Sequence, residues 1–272
     1  MKGEKPFSNE VRTTLEELVD QIILGGWPTN LNRSAANAAQ AMVDYVTLAS
    51  EVDIQKATGT AFDPIKVMSF IRSYARNISS VASIATLAKD ISSRKSIATV
   101  DTLSSYIDGL QQIWVIEDLP AWNTHIRSSD TLRKGPKRHF VDPSLAVGAL
   151  SLSQEKLLND LQYLGYLFES LVIRDLRIYA DVHGGKVFHY RDSSNLEVDA
   201  IIEYPDGRWS AFEVKMGFGK QEEGAKNLLK FAKKVDVEKT GKPESLTVIT
   251  FNGFAYQREN GVNVVPIGTL TV

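Results

Sequence analysis

Asp199, Glu213 and Lys215 lie on either side of a short turn-forming run in the last third of the chain. The run, Pro205-Asp206-Gly207, suits a three-residue hairpin loop, because proline favours the first central position of a type I turn and glycine favours the left-handed residue after it. Counting back along both strands from this turn places Asp199 opposite Glu213. The sequence therefore predicts a β-hairpin that brings two carboxylates and one amine together.

Strand alternation places these three side chains on one face of the hairpin, and the opposite face is apolar and expected to be buried. The apolar face consists of Val198, Ala200, Ile202, Phe212 and Val214. Two carboxylates with Cβ atoms about 5 Å apart repel each other unless a positive charge lies between them. Mg²⁺ (or Mn²⁺) would supply that charge, and Lys215 could then orient or deprotonate a metal-bound water or stabilise a pentavalent phosphate. The alternative is an ordinary surface hairpin in which Glu197 and Glu213 simply pair with Lys215.

The elements around this hairpin indicate an α/β (α+β) fold with a mixed sheet flanked by helices. A long helix is expected from residue 154 to about residue 179, and a lysine-rich helix is expected over 220–234. Strands are expected at 187–191, 197–203, 209–216, 246–251 and 262–267. The two carboxylates and the lysine therefore belong to a predicted three-strand meander that is followed by a helix and a further strand.

The N-terminal part of the chain is predicted to be helical. Helices are expected at 15–24, 34–57 and 63–74, with Asp63 as the N-cap of the third because Pro64 follows it. Two shorter helices at 81–91 and 99–110 are followed by β-like segments at 113–119 and 137–141. This order is typical of a winged-helix module. We therefore predict a helical region at 1–60, a winged-helix-like region at 61–150 and an α/β domain at 151–272.

Positive charge gathers in the segment that would form the wing. Between residues 127 and 138 there are five basic residues and one acidic residue, and Arg133, Lys134, Lys137 and Arg138 are the candidate contacts to nucleic-acid phosphates. The alternative is a solvated charged face. The expected recognition helix offers threonine, serine and aspartate but no basic residue, so a packing or protein-contact role is favoured for that helix itself.

Composition excludes several classes of protein. The chain of 272 residues has 43% hydrophobic and 24% charged residues, which is typical of a folded globular protein. It contains no cysteine, so disulfides, thiolate zinc sites and cysteine nucleophiles are excluded. No stretch approaches about 18 uninterrupted apolar residues, and the first residues lack the apolar core of a signal peptide. We expect a cytoplasmic protein with no membrane association.

Asp199 and Glu213-Val214-Lys215, with a helix before them and a helix after them, resemble the core of the PD-(D/E)XK nuclease superfamily over roughly residues 155–272. More closely, the chain resembles the C-terminal region of a prokaryotic AAA+-like ATPase family, in which a P-loop ATPase module precedes a winged-helix-like segment and a nuclease-like domain of unknown function. The runs that carry this resemblance are HFVDPSLA at 139–146, LGYLFE at 164–169, YRD at 190–192, EVD at 197–199 and EVK at 213–215.

The resemblance implies that Glu169, Asp199 and Glu213 hold the metal and that Lys215 is the catalytic amine. Glu169 has independent support, because an apolar helix is an expensive place to bury a carboxylate without a partner. Pairing of Glu169 with Arg174 or Lys156, or simple exposure, is the alternative. The resemblance also implies a metal-dependent nuclease acting on nucleic acid, with DNA favoured.

Arg191 is a further candidate for a phosphate contact, although a role in positioning the strand edge is favoured. The sequence contains no G-x-x-x-x-G-K-[ST] run, so no ATPase activity is expected from this chain, and an ATPase partner or a missing ATPase module would have to supply it. A catalytically silent regulatory or binding module of an ATPase system is the alternative function.

Overall fold

Helices form the first half of the chain where apolar residues recur at helical spacing between clear start and stop residues. The computed structural model describes residues 10–91, 99–123, 135–217 and 219–270. Helix α1 (Leu15–Leu24) has the predicted bounds and ends at Gly25, which takes the left-handed conformation with φ of 63°. Helix α2 (Ala35–Leu48) begins at the N-cap Ser34, whose hydroxyl accepts a hydrogen bond from the backbone N–H of Asn37.

The other helices confirm most of the predicted positions. The predicted helix at 34–57 is α2, one π-helical turn (Ala49–Asp53) and α3 (Ile54–Thr58), which follow one another directly. The helices that follow are α4 (Pro64–Arg76), α5 (Ile84–Ile91), α6 (Val100–Gln112), α7 (Ser144–Leu150), α8 (Gln154–Leu158) and α9 (Leu161–Asp181). No helix in the described ranges is long and apolar enough to cross a bilayer.

The single helix predicted from residue 154 to residue 179 is wrong, because α8 and α9 are separate helices. The chain breaks at Asn159 and Asp160. The carboxylate of Asp160 accepts a hydrogen bond from the backbone N–H of Tyr163 at 3.0 Å. Asp160 therefore caps a new helix, and aspartate is one of the residues that favour this position over a helix interior.

The chain divides into two compact units whose segments alternate along the sequence. The first, which we call the helical unit, comprises 19–118 and 137–170. The second, which we call the sheet unit, comprises 1–18, 119–136 and 171–272. The three-part division at residues 60 and 150 stays a prediction about sequence segments, and each compact unit combines segments from more than one of those parts.

In the helical unit, α7 packs against α2 and α4. A Cβ on Gly148 of α7 would lie 2.6 Å from the backbone carbon of Met42, so the two helices approach where only glycine fits. The predicted pairing of 113–119 with 137–141 is an isolated antiparallel bridge between Ile116 and Phe140. The bridge replaces the longer two-stranded wing that the sequence indicated.

The sheet unit contains a mixed six-stranded sheet. Its strands are β2 (Lys186–Arg191), β3 (Glu197–Glu203), β4 (Trp209–Val214), β5 (Ser245–Thr250), β7 (Tyr256–Gln257) and β8 (Asn263–Pro266). They are arranged in the order β2-β3-β4-β5-β8-β7. Strands β4, β5 and β8 run parallel, while β2, β3 and β7 are antiparallel to their neighbours. The fold is therefore α/β with a mixed sheet flanked by helices, as the sequence predicts.

Helix α10 (Gln221–Lys234) packs against β3, β4 and β5 on one face of this sheet. Its apolar side, with Leu228 and Phe231, closes a core around Trp209. Trp122, which comes from the segment 119–136, lies in the same core with its ring centroid 5.0 Å from that of Trp209. A short helix α11 (Val237–Thr240) follows α10 before the chain enters β5.

A second, two-stranded sheet ties the described N-terminal residues to the C-terminal part of the sheet unit. Strand β1 (Glu10–Val11) pairs antiparallel with β6 (Gly253–Phe254). The side-chain amide of Asn252 donates to the backbone oxygen of Thr13 at 3.3 Å. Sequence alternation did not reveal these two-residue strands, because two residues are too few to show a period.

Candidate functional site

The hairpin of β3 and β4 has the predicted turn and register. Gly207 has φ of 84°, and its N–H donates to the oxygen of Tyr204 at 2.9 Å. The pairing runs from Glu203 with Trp209 to Ala200 with Phe212. Continuing this register by one residue on each strand brings Asp199 beside Glu213. We call Asp199, Glu213 and Lys215 the hairpin triad.

The members of the hairpin triad are in contact with one another. The Nζ of Lys215 lies 2.6 Å from Oε2 of Glu213 and 4.0 Å from Oδ2 of Asp199. That same Oδ2 accepts a hydrogen bond from the backbone N–H of Val214 at 2.9 Å, which fixes the Asp199 carboxylate to the neighbouring strand. The ammonium group therefore lies where a positive charge is needed between two carboxylates.

Helix α10, which packs on one face of the sheet, contacts the hairpin triad through hydrogen bonds and close packing. The Nδ2 of Asn227 donates to Oε1 of Glu213 at 2.7 Å and to the backbone oxygen of Glu197 at 2.6 Å. One turn earlier, a Cβ on Gly224 would lie 3.3 Å from Cγ of Lys215 and 3.4 Å from Cβ of Glu213. The helix therefore lies very close to the triad at this glycine, and the approach puts Asn227 within hydrogen-bonding reach.

Burial strongly perturbs the acid–base properties of the triad. The side chain of Glu213 is only 3% exposed, and this burial, together with the charge of Asp199, raises its pKa to about 8. Burial alone would lower the pKa of the Lys215 ammonium, but the two carboxylates outweigh it, and the pKa of Lys215 is raised above its ordinary value. The triad therefore holds a proton on Glu213 more tightly than an ordinary carboxyl group does, beside a lysine that stays charged.

The triad opens into a cavity of about 400 Å³ on the sheet unit. One side of the cavity is the hairpin with the β2–β3 loop, and the other side is a single stripe of α10. The stripe consists of Glu223, Lys226, Asn227 and Lys230. These positions recur at intervals of three and four residues, so they lie on one helix face beside the apolar face that packs on the sheet.

Glu169, the third predicted metal ligand, belongs to the helical unit. Its Oε1 accepts a charge-assisted hydrogen bond from Nζ of Lys137 at 2.8 Å, with both side chains largely buried. Helical spacing did not suggest this partner, because Lys137 lies 32 residues before Glu169 in the chain. In the parts of the chain that the structure describes, no three histidine, aspartate or glutamate side chains form a group that could hold a metal ion.

The candidate phosphate contacts of the wing lie in different surroundings from those expected. Lys137 and Arg138 are each only 4% exposed, and their charges are paired with Glu169 and Asp118. A basic run in the sequence indicates a solvent-facing surface only when its acidic partners are absent, and here they come from distant parts of the chain. The other two predicted contacts, Arg133 and Lys134, lie outside the residues that the structure describes.

Arg191, the remaining predicted phosphate contact, lies on β2 and is partly exposed. Its Nε is 2.9 Å from Oε1 of Glu197, and its Nη2 donates to Oδ1 of Asn195 at 3.2 Å. Glu197 and Asn195 both line the cavity. Arg191 therefore contacts two residues of the cavity rim, and its choice between positioning the strand edge and binding a phosphate stays a prediction.

The contribution of α10 to the cavity was not predicted from the sequence. The signal was present: Asn227 is a polar residue three positions after Gly224 and four before Phe231, both of which face the sheet. A polar side chain at this spacing lies beside the core positions Ala225 and Leu228. Because polar groups that become buried form hydrogen bonds, such a side chain indicates a hydrogen-bond partner on the sheet.

The fold and the hairpin triad define a mixed α/β protein with an acidic, lysine-containing cavity. Residues 15–156, slightly more than half of the chain, match the family described as Domain of unknown function (DUF8612), and the chain belongs to this family. Residues 164–270 match a second family, described as Domain of unknown function (DUF4143). No curated protein and no solved structure matches the chain. The second match covers the strands and the helix that build the cavity.

Proposed function

We propose that the hairpin triad is the centre of a metal-dependent hydrolase that cleaves phosphodiester bonds of nucleic acid, with DNA as the favoured substrate. The observation that carries this proposal is the contact of one amine with two carboxylates from neighbouring strands. Lys215 Nζ is 2.6 Å from the Glu213 carboxylate and 4.0 Å from the Asp199 carboxylate, at the wall of an open cavity.

The residues of the triad fit a divalent cation. Asp199 and Glu213 offer only carboxylate oxygens, which are the ligands that Mg²⁺ and Mn²⁺ prefer. A cation between the two carboxylates relieves their mutual repulsion, and the ammonium of Lys215 supplies a positive charge at this position. A metal ion that binds Glu213 must displace the proton that burial favours on this carboxyl group. When bound, the metal supplies Lewis-acid polarisation of a phosphate and acidification of a water. Glu169, which the family resemblance implies as a third ligand, is paired with Lys137 in the helical unit and is not part of this proposal.

The side chains of this chain have separable tasks in the proposed reaction. Lys215 stabilises the additional negative charge that develops on a phosphate under in-line attack, because its ammonium stays protonated at neutral pH. The backbone N–H of Val214 fixes the Asp199 carboxylate, and the amide of Asn227 fixes that of Glu213. Pre-orientation of this kind lets the site meet the transition state without reorganisation.

We further propose that the chain is a relative of the C-terminal region of the AAA+-like ATPase family and that it works in the cytoplasm. The proposed relationship rests on the sequence runs that resemble that family, which extend from the 139–146 run to Lys215. ATP hydrolysis is not part of the proposal, because the sequence has no P-loop.

Plasmid nicking with Mn²⁺ or Mg²⁺, together with calorimetric titration of Mn²⁺ into the metal-free protein, tests the proposed hydrolase. We expect Asp199→Asn to abolish the binding heat, and Lys215→Met to keep binding while nicking slows about 10²-fold or more. Asp206→Asn is the matched control, since it removes a carboxylate from the turn of the same hairpin, where it pairs with Arg208. Equal nicking rates in the wild type and both triad variants would refute the assignment.

The second candidate function is a silent regulatory or binding module. It is favoured by the ion pair itself, because the Lys215 ammonium already supplies a positive charge beside both carboxylates. In that case Mn²⁺ gives no binding heat, and Lys215→Met lowers the thermal stability of the protein without changing any activity. The same titration therefore decides between the two functions.

A further inference from the structure

Two lysines on the cavity stripe of α10 are not engaged by the hairpin triad. Lys226 and Lys230 are one helical turn apart, both are exposed, and both line the cavity. Lys226 lies 3.4 Å from Glu222 in an exposed pair, which is the kind of pair that contributes little free energy. In the described part of the chain, Lys230 has no ion pair. Both amines are therefore available to a ligand that enters the cavity.

Charge is unevenly distributed around this cavity. At the hairpin end, Asp199 and Glu213 are compensated by Lys215, and at the rim Glu197 is paired with Arg191. On the α10 stripe, the single acid Glu223 faces two lysines. An anion in the cavity is therefore attracted towards the helix side, where lysines outnumber the acid.

The size of the cavity exceeds what one phosphate group needs. About 400 Å³ corresponds to roughly a dozen water volumes. A ligand that places one phosphate at the triad therefore leaves room for a second anionic group beside α10. Amines a turn apart on one helix face suit the contacts that lysine makes to backbone phosphates, which position a nucleic-acid strand without reading its sequence.

We propose that Lys226 and Lys230 form a second phosphate subsite, which binds a phosphate next to the one held at the hairpin triad. The inference rests on the proposed function, since it deepens the substrate class of the same cavity. The substrate is then a chain with consecutive phosphates, and a single phosphodiester uses only half of the site. The subsite is selective for charge and chain length and does not discriminate between bases.

The test compares two double variants. The cavity pair is Lys226→Gln/Lys230→Gln, and the control pair is Lys233→Gln/Lys242→Gln. The control pair removes the same charge from exposed lysines that do not line the cavity. Binding of a fluorescent 20-base-pair duplex is measured in metal-free buffer as a function of salt. We expect about a tenfold loss of affinity in the cavity pair and a salt slope lower by about 0.9 for each phosphate that no longer binds an amine. The control pair should change affinity less than about twofold.

Turnover of two substrates then separates this subsite from the triad. With Mn²⁺, the KM of the cavity pair for the duplex should rise about tenfold more than its KM for bis(p-nitrophenyl) phosphate, which has one phosphate. The subsite is refuted if the cavity pair and the control pair bind the duplex with equal affinity. It is also refuted if neither the wild-type protein nor any variant binds the duplex. If duplex binding depends on the two lysines but neither substrate is hydrolysed, the proposed hydrolase fails and the subsite stands.

Discussion

Replacing Asn227 by leucine tests directly how the Glu213 carboxyl group is held. The change keeps a side chain of similar size and removes the hydrogen bonds to Glu213 Oε1 and to the Glu197 backbone oxygen. Each buried acceptor left without a donor costs about 1–3 kcal/mol. Because both acceptors lie in part-buried surroundings, we expect the free energy of unfolding to fall by about 2–4 kcal/mol at neutral pH.

This loss of stability should increase with pH. The folded-state pKa of Glu213 is raised to about 8, so the stability from its bound proton is fully present below the unfolded pKa of about 4.3 and is lost as pH rises through about 8. The Asn227 amide holds this pKa down, so the leucine variant has a higher one. The variant therefore continues to lose stability above pH 8, by about 1.4 kcal/mol for each unit that separates the two pKa values.

The measurement is urea unfolding at about pH 6.5 and about pH 9.5, followed by hydrogen exchange in peptides from β4 and α10, which report the sheet unit. Asn252→Leu is the matched control, because it removes one amide donor from the backbone oxygen of Thr13 in the same unit and touches no carboxylate. Its cost should be the same at both pH values. A cost of Asn227→Leu that is absent, or that does not grow with pH, would show that the amide does not support the carboxyl group.

Two further predictions concern ion pairs that do not involve the hairpin triad. Arg138→Met should lower the free energy of unfolding by about 3–5 kcal/mol in thermal melts, because Asp118 then keeps a buried charge without its guanidinium partner. The control is Arg76→Met, which removes one member of an exposed ion pair and should lower the free energy of unfolding by less than about 1 kcal/mol. Burial opposes ionisation of Asp192, but hydrogen bonds from Lys234, Ser194 and backbone N–H groups outweigh burial and lower the pKa of Asp192. Asp192→Asn should therefore destabilise the protein at pH 7, and the loss of stability should become smaller as pH falls below about 4. A pH-independent cost of Asp192→Asn would contradict this account.

The hairpin was predictable because its information is local. Pro205-Asp206-Gly207 specifies the turn, the turn specifies the register, and the register brings Asp199 beside Glu213. Helix α10 was also predicted to within a residue, since its bounds follow from its own apolar spacing. Local signals of this kind need no knowledge of what lies across the fold.

The remaining features depend on partners that are distant in the sequence. In the sequence, Lys137 and Arg138 indicate an exposed basic run. In the fold, Lys137 pairs with Glu169 and Arg138 pairs with Asp118, and both partners are distant in the sequence. The break before α9 was missed because Asp160 is equally acceptable on an exposed helix face or as an N-cap. The polar spacing of Asn227 was visible, but its acceptors could be named only once the register of α10 on the sheet was known.

The interleaving of the sheet unit has a consequence for how this protein is made. Trp122 fills a core with Trp209 and Phe231, and β1 pairs with β6 close to the other end of the chain. During synthesis, β1 cannot form its described pairing until β6, which is far later in the sequence, has left the ribosome, because chains fold as segments become available. A fragment that begins at residue 151 would lack Trp122, so the ring of Trp209 would lose this aromatic neighbour. We therefore expect such a fragment to have an incomplete core.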